Sequence, residues 1–176
     1  MSAEVYIRSA TVEDTAEILK IYSYYIENTA ITFEYDVPTV GEFSERIAKT
    51  LKKYPYLVAV IDDQIVGYAY AAPLKTRAAY ARSVELSIYI ERGLRGKGVG
   101  SKLFNAIVNE LSNMGIINLY SCVTYVEVED EYLSHASVEF HNHLGFKQVG
   151  HFHKCGYKFN RWYDVVWFEK IIGEHK

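Results

Sequence analysis

From Val84 to Glu91 the chain alternates. Val84, Leu86, Ile88 and Ile90 are apolar, and Glu85, Ser87, Tyr89 and Glu91 fall between them. A period of two predicts a strand whose faces differ. The pattern then breaks over Gly93, Gly96, Gly98 and Gly100 and resumes at helical spacing with Val99, Leu103, Phe104, Ile107, Val108 and Leu111. Upstream, Val5–Arg8 reads as a short strand, and Thr11 with Asp14 as a capping box that opens a helix running to about Asn28. Thr29–Pro38 is an aromatic-rich loop. Thr39 with Glu42 is a second capping box, and Phe43, Ile47 and Leu51 recur every four residues behind it, giving a second helix. Tyr56–Ile61 and Ile65–Leu74 are apolar strands joined by the turn Asp62-Asp63-Gln64. Lys75–Arg82 connects them to the central strand. Gly115 closes the central helix, Ile116–Tyr125 is a β-branched strand, and Glu127–Glu131 is acidic surface. Ala136–Leu144 is a short helix stopped by Gly145, and Phe146–His153 and Arg161–Lys170 are the last strands. Strands interleaved with helices in this order predict an α/β fold on a mixed sheet.

The central strand, loop and helix form a recipe for holding a phosphate. Glycines let the backbone approach closely, the first helical N–H groups lack internal partners, and the helix dipole with Arg95 and Lys97 supplies positive charge. Two familiar phosphate loops do not match. A P-loop requires Ser or Thr after Gly-Lys, whereas Gly96-Lys97 is followed by Gly98. A dinucleotide fingerprint read from Gly96 ends on Ser101 instead of glycine. What remains is Arg95-x-x-Gly98-x-Gly100.

Composition narrows the field. At 176 residues the chain is expected to form one domain over 1–176 with a sizeable core. A net charge of −3 without a basic run argues against nucleic acid as a partner. No apolar run is long enough to span a bilayer, so no membrane partner is expected. Cys122 and Cys155 lack framework spacing, which points to reduced thiols and a cytoplasmic protein.

The motif Arg95-x-x-Gly98-x-Gly100, in this strand-to-helix setting, resembles the acetyl-CoA pyrophosphate loop of the GCN5-related N-acetyltransferases (GNAT). Ser134–Phe146, SHASVEFHNHLGF, resembles that superfamily's second signature, with Ser134 in the usual Asn place, Ser137 as the small residue, His141 in the usual Tyr place and Gly145-Phe146 at the end. TFEYDVPT near the front, LKTRAAYARSVE before the central strand and GYKFNRWYD near the end resemble the phosphinothricin and methionine sulfoximine N-acetyltransferase branch. The resemblance covers almost the whole chain. It departs at Asn160, where the branch usually has Gly, and in a longer acidic segment between Cys122 and Ser134.

This resemblance implies the GNAT fold, a mixed, mostly antiparallel central sheet of about seven strands flanked by helices. It implies acetyl-CoA as co-substrate, held by Leu86, Ile88, Tyr89, Ile90, Arg95, Gly96, Lys97, Gly98, Val99, Gly100, Ser101, Ser134 and Ser137. It places the general base at Glu85 and a proton donor for the departing thiolate at His141. An amine must lose a proton to attack a thioester, and histidine titrates near neutrality, so both residue types suit the chemistry. Phe33, Glu34, Arg77 and Tyr80 would receive a small amino-acid-like acceptor of the phosphinothricin or methionine sulfoximine type, with Arg77 as a fork for its anion. Acetylation would then confer resistance to such compounds, and the branch implies a homodimer. Lys158 and Trp162 match the branch motif, with substrate binding and dimer packing both open as roles. Acetylation of a polyamine or protein N-terminus is the rival activity, with the acidic stretch Glu127–Glu131 as the feature to watch. A non-catalytic acetyl-CoA-binding module is the rival from another class. His151, His153 and Cys155 would share one face of a strand, but no second ligand pair follows and acetyl transfer needs no metal; none is expected.

Overall fold

The computed structural model describes residues 4–94 and 96–176. Its elements are β1 (Tyr6–Ser9), α1 (Thr15–Asn28), α2 (Val40–Leu51), β2 (Tyr56–Ile61), β3 (Gln64–Pro73), β4 (Ser83–Ile90), α3 (Val99–Asn113), β5 (Asn118–Tyr125), α4 (Ala136–His143), β6 (Lys147–Lys158) and β7 (Arg161–Ile171). Among the described residues, seven strands form one sheet in the order β1-β2-β3-β4-β5-β7-β6. All neighbours are antiparallel except β4 and β5. The α/β fold with a mixed, mostly antiparallel sheet is therefore as expected. No helix among the described residues is long and apolar enough to cross a membrane.

Both faces of the sheet are covered, which is why β2 reads as an almost unbroken apolar run. On one face Leu57, Ala69, Val84 and Leu86 pack with Leu103, Ile107 and Leu111 of α3. On the other, Tyr56, Val58 and Tyr68 pack with Ile18, Ile26 and Ile47 of α1 and α2. Strand parity thus assigns Glu85, Ser87 and Tyr89 to the α1/α2 face. Much of the tyrosine content is spent there: Tyr56 stacks on Tyr70 with centroids 5.0 Å apart, and Tyr68 on Tyr89 at 5.2 Å.

Local chemistry explains most boundaries. The Thr39 N–H donates to Glu42 Oε2 at 2.8 Å and the Glu42 N–H to Thr39 Oγ1 at 3.2 Å, closing the second capping box. The first capping box opens a 3₁₀ turn, Val12–Asp14, before α1 proper begins. Asn160, at φ +58°, does take the left-handed conformation that glycine usually supplies, and Phe159 before it is at +51°. Paired positive φ values give the tight hairpin whose twist suits antiparallel strands.

Two strand boundaries differ from expectation by more than one residue. β5 starts at Asn118, because the N–H groups of both Ile117 and Asn118 donate to the Arg82 carbonyl and turn the chain there. β6 runs to Lys158 instead of ending at His153, because a bulge between Phe152 and Gly156, with Lys154 at φ +45°, carries the pairing past the interruption.

Candidate active site

β4 and β5 pair over three rungs, Ser83 with Asn118, Val84 with Leu119 and Glu85 with Tyr120, and then part. The Glu91 N–H donates to Val66 on β3, so alternation along the strand turns the amides and carbonyls of Leu86, Ile88 and Ile90 toward the gap. Hydroxyls stand in for ladder partners there. Ser121 Oγ donates to the Leu86 carbonyl at 3.2 Å, and the Tyr25 hydroxyl donates to the Ile90 carbonyl.

The gap opens into a cavity of about 500 Å³ between the end of β4, the start of α3 and α4. Of the residues expected to hold the donor, Ile88, Tyr89, Ile90, Gly96, Gly98, Gly100, Ser101 and Ser137 line it. Arg95 lies outside the described residues. Leu86 and Val99 are buried beside the cavity, and Lys97 is exposed on its rim loop. Gly98 is the N-cap of α3 at φ +81°, with no side chain to satisfy the first amides, which are left for an anion. A side chain on Gly100 would come within 2.8 Å of the Phe140 ring, so this glycine lets α3 and α4 close on each other. Ser134, in the usual asparagine place, lines a smaller neighbouring cavity of about 230 Å³, and its Oγ accepts from the Ala136 N–H at 3.3 Å.

Glu85 is half-buried on the α1/α2 face of β4, which it shares with Tyr89 of the cavity lining. Burial raises its carboxyl above the usual glutamate range, against the pull of the Lys75 charge. Next to it Tyr70, hydrogen-bonded to Ser87, is raised by burial and then by the negative charges of Glu85 and Glu34. Tyr70 therefore lies within electrostatic reach of both carboxylates. Glu34 pairs with Arg46 at 2.5 Å. Phe33 lies against the β6–β7 hairpin, where a side chain on Gly156 would overlap its ring. Arg77 and Tyr80 are exposed on the turn between β3 and β4, downstream of Lys75. Sequence reasoning missed Tyr70, Ser87 and Arg46. The tyrosine pair Tyr68 and Tyr70, two apart on β3, was the one available sign, since strict apolar packing needs no hydroxyl.

His141 stands behind the cavity wall. Its Nδ1 lies 2.7 Å from the Ser137 carbonyl, and its ring stacks on Phe168 and meets Phe146 edge-on. Burial lowers its pKa, with the Ser137 carbonyl opposing. The ring is therefore neutral at neutral pH, with its proton on Nδ1 and its lone pair on Nε2.

Lys158 does not line the donor cavity. It is 4% exposed, and its ammonium donates to the carbonyls of Ile26, Thr29 and Thr32 at 2.7, 2.9 and 2.8 Å. Burial draws its pKa down to about 8, so it stays protonated at neutral pH with all three hydrogens used. It ties the end of α1 and the strip leading to Phe33 and Glu34 onto the β6–β7 hairpin. The acidic stretch is also engaged. Asp130 accepts from the Tyr163 hydroxyl at 2.9 Å, Arg161 pairs with Asp130 at 3.0 Å and Glu131 at 2.8 Å, and Glu129 accepts the His135 N–H at 2.7 Å.

A sheet parted beside a glycine-capped helix, with a half-buried carboxyl on the parted strand, defines a CoA-dependent acyl transferase. Residues 7–167 match the acetyltransferase (GNAT) domain family, and the chain belongs to it. It is 31% identical to a phosphinothricin N-acetyltransferase of Streptomyces coelicolor, over 97% of this chain and 98% of that one. It is 29% identical to an L-methionine sulfoximine/L-methionine sulfone acetyltransferase of Salmonella typhimurium, over 96% and 95%. Among solved structures, a phosphinothricin acetyltransferase from Sinorhizobium meliloti in complex with acetyl-CoA superposes with a TM-score of 0.87 at 29% identity, covering 96% of this chain and 89% of that one. The chain is an acetyl-CoA-dependent N-acetyltransferase, and acetyl-CoA is its co-substrate.

Proposed function

We propose that this enzyme acetylates the primary amine of a small, anionic amino-acid-like acceptor of the phosphinothricin or methionine sulfoximine type. The observation that carries this reading is the grouping of Glu85, Tyr70 and Glu34 on the α1/α2 side of β4, the side from which Tyr25, Ile31 and Tyr89 also line the donor cavity. Glu85 takes a proton from the acceptor ammonium through water. The amine nitrogen then bonds to the thioester carbonyl carbon, the C–S bond breaks, and the second nitrogen proton is passed on as the thiolate is protonated. The Ile88 amide faces the gap and supports the carbonyl oxygen as charge develops on it. Phe33 walls the acceptor, Glu34 attracts its ammonium, and Arg77 with Tyr80 closes over its anion when the exposed turn folds in. The engagement of Asp130, Glu131 and Glu129 within the fold weighs against a free acidic groove for a polyamine. Tyr35, Tyr157 and Trp162 form an exposed aromatic patch on the β6–β7 side, linked by the Tyr35 hydroxyl on the Tyr157 carbonyl and a 4.9 Å ring contact, which suits a homodimer.

Thiol release from acetyl-CoA against a panel of amines tests the substrate. Phosphinothricin and methionine sulfoximine are expected to support turnover, and Arg77→Ala is expected to raise their KM about tenfold, the loss of one charge-assisted fork, with kcat little changed. Turnover with polyamines or peptides alone would overturn the acceptor assignment. Binding of acetyl-CoA without release to any amine would favour a non-catalytic module.

His141 helps the thiolate only when its imidazole is protonated. Because its pKa is lowered, that form is scarce at pH 8 and gains ground only below the ordinary histidine value. His141→Phe is therefore expected to keep kcat at pH 8 within about threefold, the deficit widening as the pH falls. A 100-fold loss at pH 8 would show that the neutral ring takes part.

A further inference from the structure

We propose that His151, His153 and Asp164 bind a divalent transition-metal ion, with zinc as the fitting choice, on the sheet face opposite Glu85. The site arises from the β6 bulge. His151 and His153 point to the same side of β6, and their ring centroids are 4.1 Å apart. Asp164 on β7 lies between them, with its Oδ2 2.7 Å from His151 Nε2 and 3.4 Å from His153 Nδ1. The three ligand atoms all lie within 4.8 Å of one another. Metal bonds of about 2.1 Å place tetrahedral ligand atoms roughly 3.4 Å apart, so small side-chain adjustments suffice. The bulge separates Cys155 from this group; its thiol faces the Phe152 carbonyl instead, at 3.7 Å.

Two imidazole nitrogens and one carboxylate oxygen suit zinc better than magnesium or calcium, which prefer all-oxygen sets. The surroundings orient the ligands. Asp164 Oδ1 accepts the Lys154 N–H at 2.7 Å, fixing the carboxylate, and Tyr125 meets the His151 ring edge-on at 5.5 Å. The His153 side chain is 75% exposed, which gives the ion a path in and leaves its remaining position to water. Asp164 shares its sheet face with Val166 and Phe168, on the α3 side, and so lies across the sheet from Glu85. The ion would clip the edge strand β6 to β7 where the bulge interrupts their ladder, and it takes no part in acetyl transfer.

The test is calorimetric titration of Zn²⁺ into the untagged, chelator-stripped full chain, repeated with Co²⁺ and read by visible absorbance. One equivalent per chain is expected, with affinity at least about tenfold weaker in His153→Gln and in His151→Gln. Acetyl-transfer rates of the metal-free variants should match the metal-free parent within about twofold. His153 is exposed, so its replacement leaves folding intact. No saturable binding up to about 1 mM, or equal binding in both variants, would overturn the assignment and leave a hydrogen-bonded His–Asp cluster.

Discussion

Replacing Glu85 by glutamine is expected to lower kcat with the best acceptor by about 10²- to 10³-fold, the range a positioned general base supplies. Glutamine keeps the size and packing of the side chain and removes only its ability to take a proton. The pH profile gives the sharper reading. Burial raises the Glu85 carboxyl above the ordinary 4.5, so the parent enzyme should lose activity as the pH falls through that raised value, where the base becomes protonated. That acid limb should vanish in the variant, whose slow turnover should instead climb with the fraction of free amine. The KM for acetyl-CoA should change less than about twofold, because Glu85 is not among the residues that line the donor cavity. Turnover within a few-fold of the parent with an unchanged profile would remove Glu85 from the mechanism.

Lys158→Met is expected to produce the largest loss of stability among single substitutions outside the apolar core. Methionine fits the shape of the aliphatic stem but leaves three inward carbonyls without their donor. At about 1 kcal/mol or more for each unmade bond the cost is roughly 3 kcal/mol. For a chain of this size that corresponds to a melting temperature lower by about 6 to 12 °C. The remaining folded enzyme should also show a raised KM for acceptor at unchanged KM for acetyl-CoA, because the freed strip carries Phe33 and Glu34. A thermal melt within about a degree of the parent would show that water replaces the ammonium at little cost.

The donor side of this enzyme is local in sequence, and so it was legible. One continuous stretch, from Val84 to Leu111, carries the strand, the glycines and the helix, and its periodicity places them without knowledge of the rest. The acceptor side is different. Glu34 meets Arg46 across a loop, and Lys158 reaches carbonyls 126 to 132 positions away. Such bonds leave no period in the sequence. The resemblance singled out Glu34 and Lys158 by motif, but only the packed structure shows that one pairs with Arg46 and the other holds the loop in place. The histidines of β6 show the same limit. Alternation put His151 and His153 on one side, while the bulge substituted Asp164 for Cys155 as their neighbour.

The short β4–β5 ladder makes the sheet a jointed plate. One leaf is β1 to β4 and the other β5, β7 and β6, and three rungs with the side-chain bonds of Ser121 to Leu86 and Asn118 to Ser83 form the seam between them. A ligand whose amides lie along β4 takes the place of the absent strand and lengthens that seam. The donor then becomes part of the wall that the acceptor meets, which favours an order in which acetyl-CoA enters first and the amine docks on a surface already stiffened by it.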